Sequence, residues 1–219
     1  MQTRVVLVEP ENPLNIGFVA RAMRASGVKD LVIVSPTSTA MPAEAFVTGV
    51  SAPEILNGAR FVPDLASAFK GCDAAVAFSR RPSALKQEEF TLPSVPLLPP
   101  KTALVFGRES AGLTREETAQ CRWLARIPNK NGVSLNLGQA VAVALFALTA
   151  PEAPAKSART EGASLERLNA LWDLIEPKLE KAPRFTKSRR LRVRQTIYQM
   201  NLDGPGASLL MSVLKEISR

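Results

Sequence analysis

The stretch that decides the fold is residues 5–34, VVLVEPENPLNIGFVARAMRASGVKDLVIV. It begins and ends with short apolar runs, residues 5–8 and 31–34, and residues 16–25 between them have the apolar spacing of a helix. Fully apolar strands joined through a helix are typical of a parallel sheet that is buried on both faces. We therefore predict an α/β fold with helices on both faces of the sheet.

Further apolar runs extend this pattern along the chain. We predict buried strands at residues 74–78, 103–106 and 123–127, and a long apolar helix at residues 135–149. A helix that is apolar on all sides must be buried, against the sheet or against a partner chain. Residues 92–100 carry four prolines, which lack the amide hydrogen that a helix needs, so we predict an extended connector there.

The composition changes after Ala150. Residues 151–163 combine proline and glycine with small and charged residues, which predicts a linker between a domain at residues 1–150 and an extension at residues 164–219. Apolar residues at helical spacing behind Ser164, a suitable cap, predict that the extension is helical. Residues 184–194 contain six basic side chains and no acidic one. This favours an RNA-binding role, with a solvated basic face as the alternative.

Charge and residue usage exclude several classes of function. The chain has 28 Lys+Arg against 20 Asp+Glu, a net charge of +8, which favours a polyanionic partner such as nucleic acid. It contains no histidine, so Ser-His-Asp hydrolysis and histidine-ligated metal sites are excluded. Cys72 and Cys121 are too far apart in sequence to suggest a zinc site or a disulfide framework. Because no signal region and no long apolar window is found, we expect a cytoplasmic protein without a membrane span.

Three polar loops lie at the ends of predicted strands or the starts of predicted helices, and ligands bind at that edge of a parallel sheet. The first loop leads into a helix that carries Asn15, Arg21 and Arg24. Asn15 is either a helix cap or a functional amide, and Arg21 is either a solvated charge or a functional one.

The second loop, residues 105–114, comes close to the phosphate-binding pattern G-x-x-x-x-G-K-[ST]. Leu113 stands where that pattern has lysine, so hydrolysis of nucleoside triphosphates is not expected. Thr114 and Glu117 have the spacing of a capping box. In the third loop, residues 129–137, Ser134 is predicted to cap the apolar helix. Asn136 is expected inside its first turn as a buried amide that needs a partner.

Taken together, these loops resemble a known family. The runs Asn15-x-Gly17-x-x-x-Arg21, Phe106-Gly107-x-Glu109-x-x-Gly112-Leu113 and Ser134-Leu135-Asn136-Leu137 match, in order and separation, the three signature motifs of the SPOUT superfamily of RNA 2′-O-ribose methyltransferases. The resemblance covers roughly residues 4–150. The basic helical extension is similar to that of the TrmJ type, the tRNA (cytidine/uridine-2′-O-)-methyltransferases.

The resemblance implies a SPOUT fold whose C-terminal part forms a deep trefoil knot, a homodimer, and S-adenosylmethionine as cofactor, with no metal. It implies methylation of a ribose 2′-hydroxyl in tRNA, first of all at anticodon-loop position 32. Another tRNA position, ribosomal RNA, or a non-catalytic RNA-binding role are the alternatives.

The resemblance also implies a role for individual residues. Arg21 would stabilise the alkoxide that develops on the ribose as the methyl group transfers. The implied catalytic set is Asn15, Arg21, Glu109, Ser134 and Asn136. The implied cofactor contacts are Phe78, Ser79, Arg80, Gly107, Ile127, Val133, Ser134 and Leu135. The implied RNA contacts are Arg24, Arg80, Arg81, Arg108, Arg189, Arg190, Arg192 and Arg194.

Overall fold

The computed structural model describes residues 2–34, 39–81, 87–129, 132–149, 162–200 and 202–216. Seven strands of this part form a parallel sheet: β1 Gln2–Val8, β2 Asp30–Val34, β3 Arg60–Val62, β4 Ala74–Phe78, β5 Glu88–Thr91, β6 Lys101–Phe106 and β7 Trp123–Arg126. Their order across the sheet is β3-β2-β1-β6-β4-β7-β5. All the pairings are parallel, as the sequence predicts.

The two strands that the sequence analysis did not predict, β3 and β5, are the edges of this sheet. Each carries exposed or half-buried side chains, including Arg60 in β3 and Glu88 in β5. An edge strand is not buried on both faces, so it needs no continuous apolar run. Residues 92–100 contain no helix or strand, which confirms the predicted connector.

Helices cover both faces of the sheet. The described residues contain nine: α1 Pro13–Ala25, α2 Ala43–Thr48, α3 Pro53–Asn57, α4 Leu65–Ala68, α5 Arg115–Thr118, α6 Leu137–Thr149, α7 Leu165–Glu180, α8 Lys187–Gln199 and α9 Gly204–Glu216. Helices α1, α2, α3 and α6 share one apolar core with Val5 and Leu7 of β1. Helices α4, α7, α8 and α9 share a second core with Val6 and Val8. Successive residues of one strand thus face opposite cores.

The C-terminal helices belong to the second core and do not form a separate body. Trp172 on α7 is 3% exposed and Tyr198 on α8 is 1% exposed, and both lie in the cluster that contains Phe69 and Val105 of the sheet domain. Ser164 caps α7 as predicted. Residues 151–161 of the predicted linker lie outside the described residues. The domain boundaries predicted around them remain predictions.

Two glycines allow close contacts that position the functional loops. A Cβ on Gly17 of α1 would lie 2.2 Å from Ala45 O of α2, so only glycine lets these helices approach so closely. A Cβ on Gly107, directly after β6, would lie 2.2 Å from Gly112 C. The loop after β6 can therefore fold back on itself only because residue 107 has no side chain.

Candidate active site

A cavity opens at the carboxyl ends of β4, β6 and β7, the edge where the sequence places its polar loops. The structure brings all eight predicted cofactor contacts to its walls: Phe78, Ser79, Arg80, Gly107, Ile127, Val133, Ser134 and Leu135. The rings of Phe78 and Phe106 stack in parallel with their centroids 4.6 Å apart and form an apolar floor. Val133 is 67% exposed although it lies on the cavity wall, so an apolar surface remains there for a ligand to cover.

The loop after β6 forms one side of this cavity and is closed on itself. Gly112 N donates a hydrogen bond to Arg108 O at 2.8 Å, and Gly112 has a φ of +69°, which favours glycine. Thr114 and Glu117 form the predicted capping box at the start of α5. The backbone of residues 107–112 is thereby held in a fixed shape beside the cavity.

Glu109 joins the three signature loops. Its carboxylate accepts hydrogen bonds from Glu11 N at 2.8 Å, Asn12 N at 3.2 Å and Asn15 Nδ2 at 2.8 Å. Asn15 Oδ1 in turn accepts from Asn136 Nδ2 at 2.7 Å. The structure therefore brings together three of the five residues of the predicted catalytic set, Asn15, Glu109 and Asn136. Ser134, the fourth, lies on the cavity wall.

Of the two alternatives for Asn15, the structure excludes the helix cap. Asn12 is the cap and Pro13 the first helical residue, and Asn15 lies within the first turn and is 5% exposed. The expectation for Asn136 is wrong. Asn136 is not a buried amide inside α6. It precedes the helix, and its Oδ1 accepts from Gly138 N at 2.9 Å as a capping side chain does. Ser134 therefore does not cap α6.

Arg21, the fifth residue of the predicted catalytic set, lies apart from the other four. It is exposed on α1 and does not line the cavity. It follows Asn15 by six residues, about 9 Å along a helix axis and roughly a third of a turn away around it. Within the part of the chain that the structure describes, its guanidinium makes no hydrogen bond or ion pair. Arg21 shares one exposed face of α1 with Leu14 and Phe18, which are 38% and 45% exposed.

Among the predicted RNA contacts near the cavity, Arg80 and Arg81 lie on its wall. Arg80 Nη1 donates to Gly132 O and so links the end of β4 to the third loop. Arg24 is exposed on α1, and its Nε lies 3.7 Å from a carboxylate oxygen of Glu54. All three side chains can be reached from solvent.

The prediction that Arg108 contacts RNA does not agree with its surroundings. Its side chain is 18% exposed and its guanidinium lies between two carboxylates, 2.7 Å from Glu9 Oε1 and 3.1 Å from Glu117 Oε1. The hydrogen bond with Glu9, followed by that with Glu117, raises the pKa of Arg108. An RNA phosphate would have to displace one of these carboxylates.

The four arginines of α8, all predicted RNA contacts, do not lie on one face of the helix. Arg189 and Arg192 are exposed, whereas Arg190 and Arg194 are half-buried. Arg194 lies over the rings of Trp172 and Tyr198, at 5.5 and 5.8 Å. Arg190 lies 3.5 Å from Glu180. Only Arg189 and Arg192 present their charge to solvent.

Sequence reasoning assigned no role to Glu9, Glu11 or Ser110. Glu11 accepts hydrogen bonds from Ser110 N at 2.9 Å and from the Ser110 hydroxyl, and these bonds lower the pKa of Glu11. Glu109 accepts from the backbone of the first loop while Glu11 accepts from the backbone of the second. Two glutamates beside Pro10 were visible in the sequence, but nothing local indicated that both reach across to the second loop.

Two negative findings apply to the described residues alone. They contain no group of three or more histidine, cysteine, aspartate or glutamate side chains placed to hold a metal ion. No helix among them is long and apolar enough to cross a membrane.

The parallel sheet, the cavity at its carboxyl edge and the three joined loops agree with the class of methyltransferases that the sequence resembles. The model of the SpoU rRNA methylase family matches residues 2–146, and the chain belongs to that family, which confirms the predicted resemblance. The seven-stranded parallel sheet with helices on both faces confirms the predicted fold class. The deep knot is consistent with this family and remains a prediction.

Individual relatives agree with this assignment. The chain is 39% identical over 181 residues to the uncharacterised tRNA/rRNA methyltransferase LasT of Escherichia coli K12, with 78% of each chain covered. It is 36% identical over 183 residues to the tRNA (cytidine/uridine/adenosine-2′-O-)-methyltransferase TrmJ of Pseudomonas aeruginosa UCBPP-PA14, covering 74% of this chain and 68% of that one. The crystal structure of TrmJ from Z. mobilis ZM4 shares its fold over 99% of both chains, with a TM-score of 0.86 and 24% identity.

Proposed function

We propose that this protein transfers the methyl group of S-adenosylmethionine to a ribose 2′-hydroxyl of tRNA. The observation that carries the proposal is the cavity lined by all eight predicted cofactor contacts, beside the hydrogen-bonded group of Glu109, Asn15 and Asn136. The relative from Pseudomonas aeruginosa, named as a tRNA 2′-O-methyltransferase, supports the choice of substrate.

The residues present fit the cofactor. Phe78, Phe106 and Ile127 offer an apolar surface on which an adenine ring can lie, and the folded-back loop at Gly107 lets backbone groups approach a ligand closely. When bound, S-adenosylmethionine supplies an activated sulfonium methyl group. The chain's own residues then have to orient the ribose and stabilise the alkoxide as it develops.

Ser134 and Asn136 lie where they would orient the ribose, while Arg21 supplies the positive charge. Because Arg21 is outside the cavity of its own chain, we propose that it acts in a homodimer. The exposed apolar side chains Leu14 and Phe18 on α1, and Phe146 on α6, would be covered there. Arg21 lies on the same face of α1 as Leu14 and Phe18. A dimer formed through this face would therefore place Arg21 next to the second copy of the chain.

We propose that tRNA lies along the carboxyl edge of the sheet. Arg80 and Arg81 would meet it at the cavity, and Arg189 and Arg192 of the C-terminal extension would add phosphate contacts. Lys187 at the start of α8 lies 3.3 Å from Glu116 of α5, the helix that follows the cofactor loop. The basic segment therefore begins close to the cavity. Position 32 of the anticodon loop is the first candidate target, and the reaction would take place in the cytoplasm.

The test is incubation of the purified protein with methyl-labelled S-adenosylmethionine and bulk tRNA, followed by nucleoside analysis. We expect 2′-O-methylcytidine or 2′-O-methyluridine, at position 32 when the tRNA is mapped. Label on bases alone would contradict ribose methylation, and tRNA binding without transfer would indicate a non-catalytic RNA-binding protein.

Ribosomal RNA is the second candidate substrate, because the relative from Escherichia coli is named as a tRNA/rRNA methyltransferase. Parallel reactions with ribosomal RNA separate the two.

Sedimentation at micromolar concentration tests the dimer. We expect a dimer without RNA, and a monomer when Phe146, which is 76% exposed, is replaced in F146E. A monomeric wild-type protein would exclude the proposed role of Arg21 across the interface.

A further inference from the structure

Arg108 is the central residue of an ion-pair cluster that the proposed reaction does not use. Its Nη2 and Nε atoms contact the carboxylate of Glu9 at 2.7 and 3.2 Å, and its Nη1 contacts both carboxylate oxygens of Glu117 at 3.1 Å. Planar, paired contacts of this kind are specific to arginine, because lysine presents a single point charge. The cluster joins the end of β1, the loop after β6 and the start of α5.

This cluster lies directly behind the cofactor loop. Arg108 follows Gly107, and its carbonyl accepts the Gly112 amide hydrogen that closes the loop. Its guanidinium also lies 3.5 Å from Gly112 O. Both ends of the loop therefore depend on where Arg108 is held.

The end of β1 is held in an unusual conformation at the same point. Glu9 has a φ of +45°, the only positive φ of a non-glycine residue among the described residues. Residues other than glycine rarely adopt a positive φ. Backbone strain of this kind persists where surrounding contacts impose it. Here the contacts are the ion pair of Glu9 with Arg108 and the hydrogen bond from Glu9 N to Val34 O at 2.8 Å.

We propose that Arg108 is a positioning residue for the cofactor loop and not an RNA contact. Fixed between Glu9 and Glu117, it holds residues 107–112 in the shape that receives the cofactor. Because the two carboxylates neutralise its charge, it offers no free charge to a phosphate. The inference rests on the proposed function for the identity of the ligand, but its effect on the loop can be measured without any ligand.

The experiment compares R108M, which removes the charge, with R108K, which keeps the charge but loses the paired contacts. R115M is the matched control, because Arg115 is exposed on α5. We expect R108M to raise the KM for S-adenosylmethionine by about tenfold or more, the scale on which misplacement of binding groups acts, with kcat at saturating cofactor within about threefold. R108K should show a smaller rise, and R115M none.

The salt dependence of tRNA binding separates this role from an RNA contact. The log–log slope should be the same in R108M and the wild-type protein, whereas loss of a phosphate contact would reduce it by about 0.7 to 0.9. A reduced slope with unchanged KM for the cofactor would overturn the proposal. An unchanged KM and an unchanged slope together would also overturn it.

Hydrogen exchange of the free protein tests the positioning role by itself. The amides of residues 107–112 should exchange about tenfold faster in R108M, while those of β1 and β6 keep their protection. If the wild-type protein transfers no methyl group, the proposed function fails and this measurement still decides the role of Arg108. If R108M does not fold, E9Q replaces it in this experiment, because the ion pair between Arg108 and Glu117 remains in E9Q. The amides of residues 107–112 should then exchange faster than in the wild-type protein, but by a smaller factor than expected for R108M. Unchanged exchange in E9Q would then count against the proposal.

Discussion

Replacement of the two outward arginines of α8, as R189Q/R192Q, should weaken tRNA binding and flatten its dependence on salt. Each phosphate contact contributes about 0.7 to 0.9 to the log–log slope, so loss of two should reduce the slope by about 1.4 to 1.8. At 0.1 M salt a slope of about 0.8 corresponds to roughly sixfold in affinity per contact, and thus to about 40-fold for both. Glutamine keeps the Cβ and Cγ methylene groups and a polar end, but removes the guanidinium and its charge.

The matched control is R190Q/R194Q, which removes the same charge from the same helix. Arg190 and Arg194 are turned toward Glu180 and toward the Trp172 ring, so their loss should leave the salt slope unchanged. It should lower the free energy of unfolding by about 0.5 to 2 kcal/mol, the range of a cation–π contact. The assay is a titration of labelled tRNA at four or more salt concentrations, with methyl transfer at saturating tRNA measured alongside.

The reasoning would be refuted if R189Q/R192Q kept the wild-type slope, or if both double variants flattened it equally. The first result would assign tRNA recognition to Arg80 and Arg81 at the cavity. The extension would then have only a structural role, as the helices that complete the second core. The second would mean that net charge alone, and not the outward position of two side chains, governs binding.

Three further outcomes are expected. R21A should reduce methyl transfer at least about 100-fold while cofactor affinity in a calorimetric titration stays within about threefold, because Arg21 lies outside the cavity. W172A should lower the free energy of unfolding by about 3 to 5 kcal/mol in a denaturant titration, because Trp172 is 3% exposed in the core shared by extension and sheet. The hydrogen bonds from Ser110 lower the pKa of Glu11, so their stabilisation is present above the ordinary value of 4.5 and is lost as the pH falls through the lowered one. The difference in thermal midpoint between wild type and E11Q should therefore vanish in acid, and a difference that persists at low pH would contradict the assignment.

The sequence by itself determined the central sheet and the edge at which the site lies. A strand buried on both faces must be apolar throughout. Apolar runs in the sequence therefore predict five of the seven strands, namely β1, β2, β4, β6 and β7. Parallel strands end at one edge, so polar loops that follow them have to meet there. That is why the eight predicted cofactor contacts line a single cavity.

Tertiary structure alone decided what each polar side chain of the site faces. Asn15 could be a cap or a functional amide from sequence, and its partners Glu109 and Asn136 lie 94 and 121 residues away. Arg108 lies in a signature loop, yet Glu9, 99 residues before it, forms an ion pair with it. Local sequence carries no information about such partners, because they meet only through the register of separate strands.

The C-terminal extension also combines features that the sequence predicts with features that only the tertiary structure decides. Its helices were predictable from spacing and from the Ser164 cap, but the way α8 is turned was not, because basic residues surround its few apolar ones and leave no single apolar stripe. Burial of Ile197 and Tyr198 in the second core, beside α7, fixes the rotation of that helix. The rotation separates Arg189 and Arg192 from Arg190 and Arg194. Charge and helical propensity are local properties of a chain, whereas the direction in which a charge points depends on the contact that buries the other side of the helix.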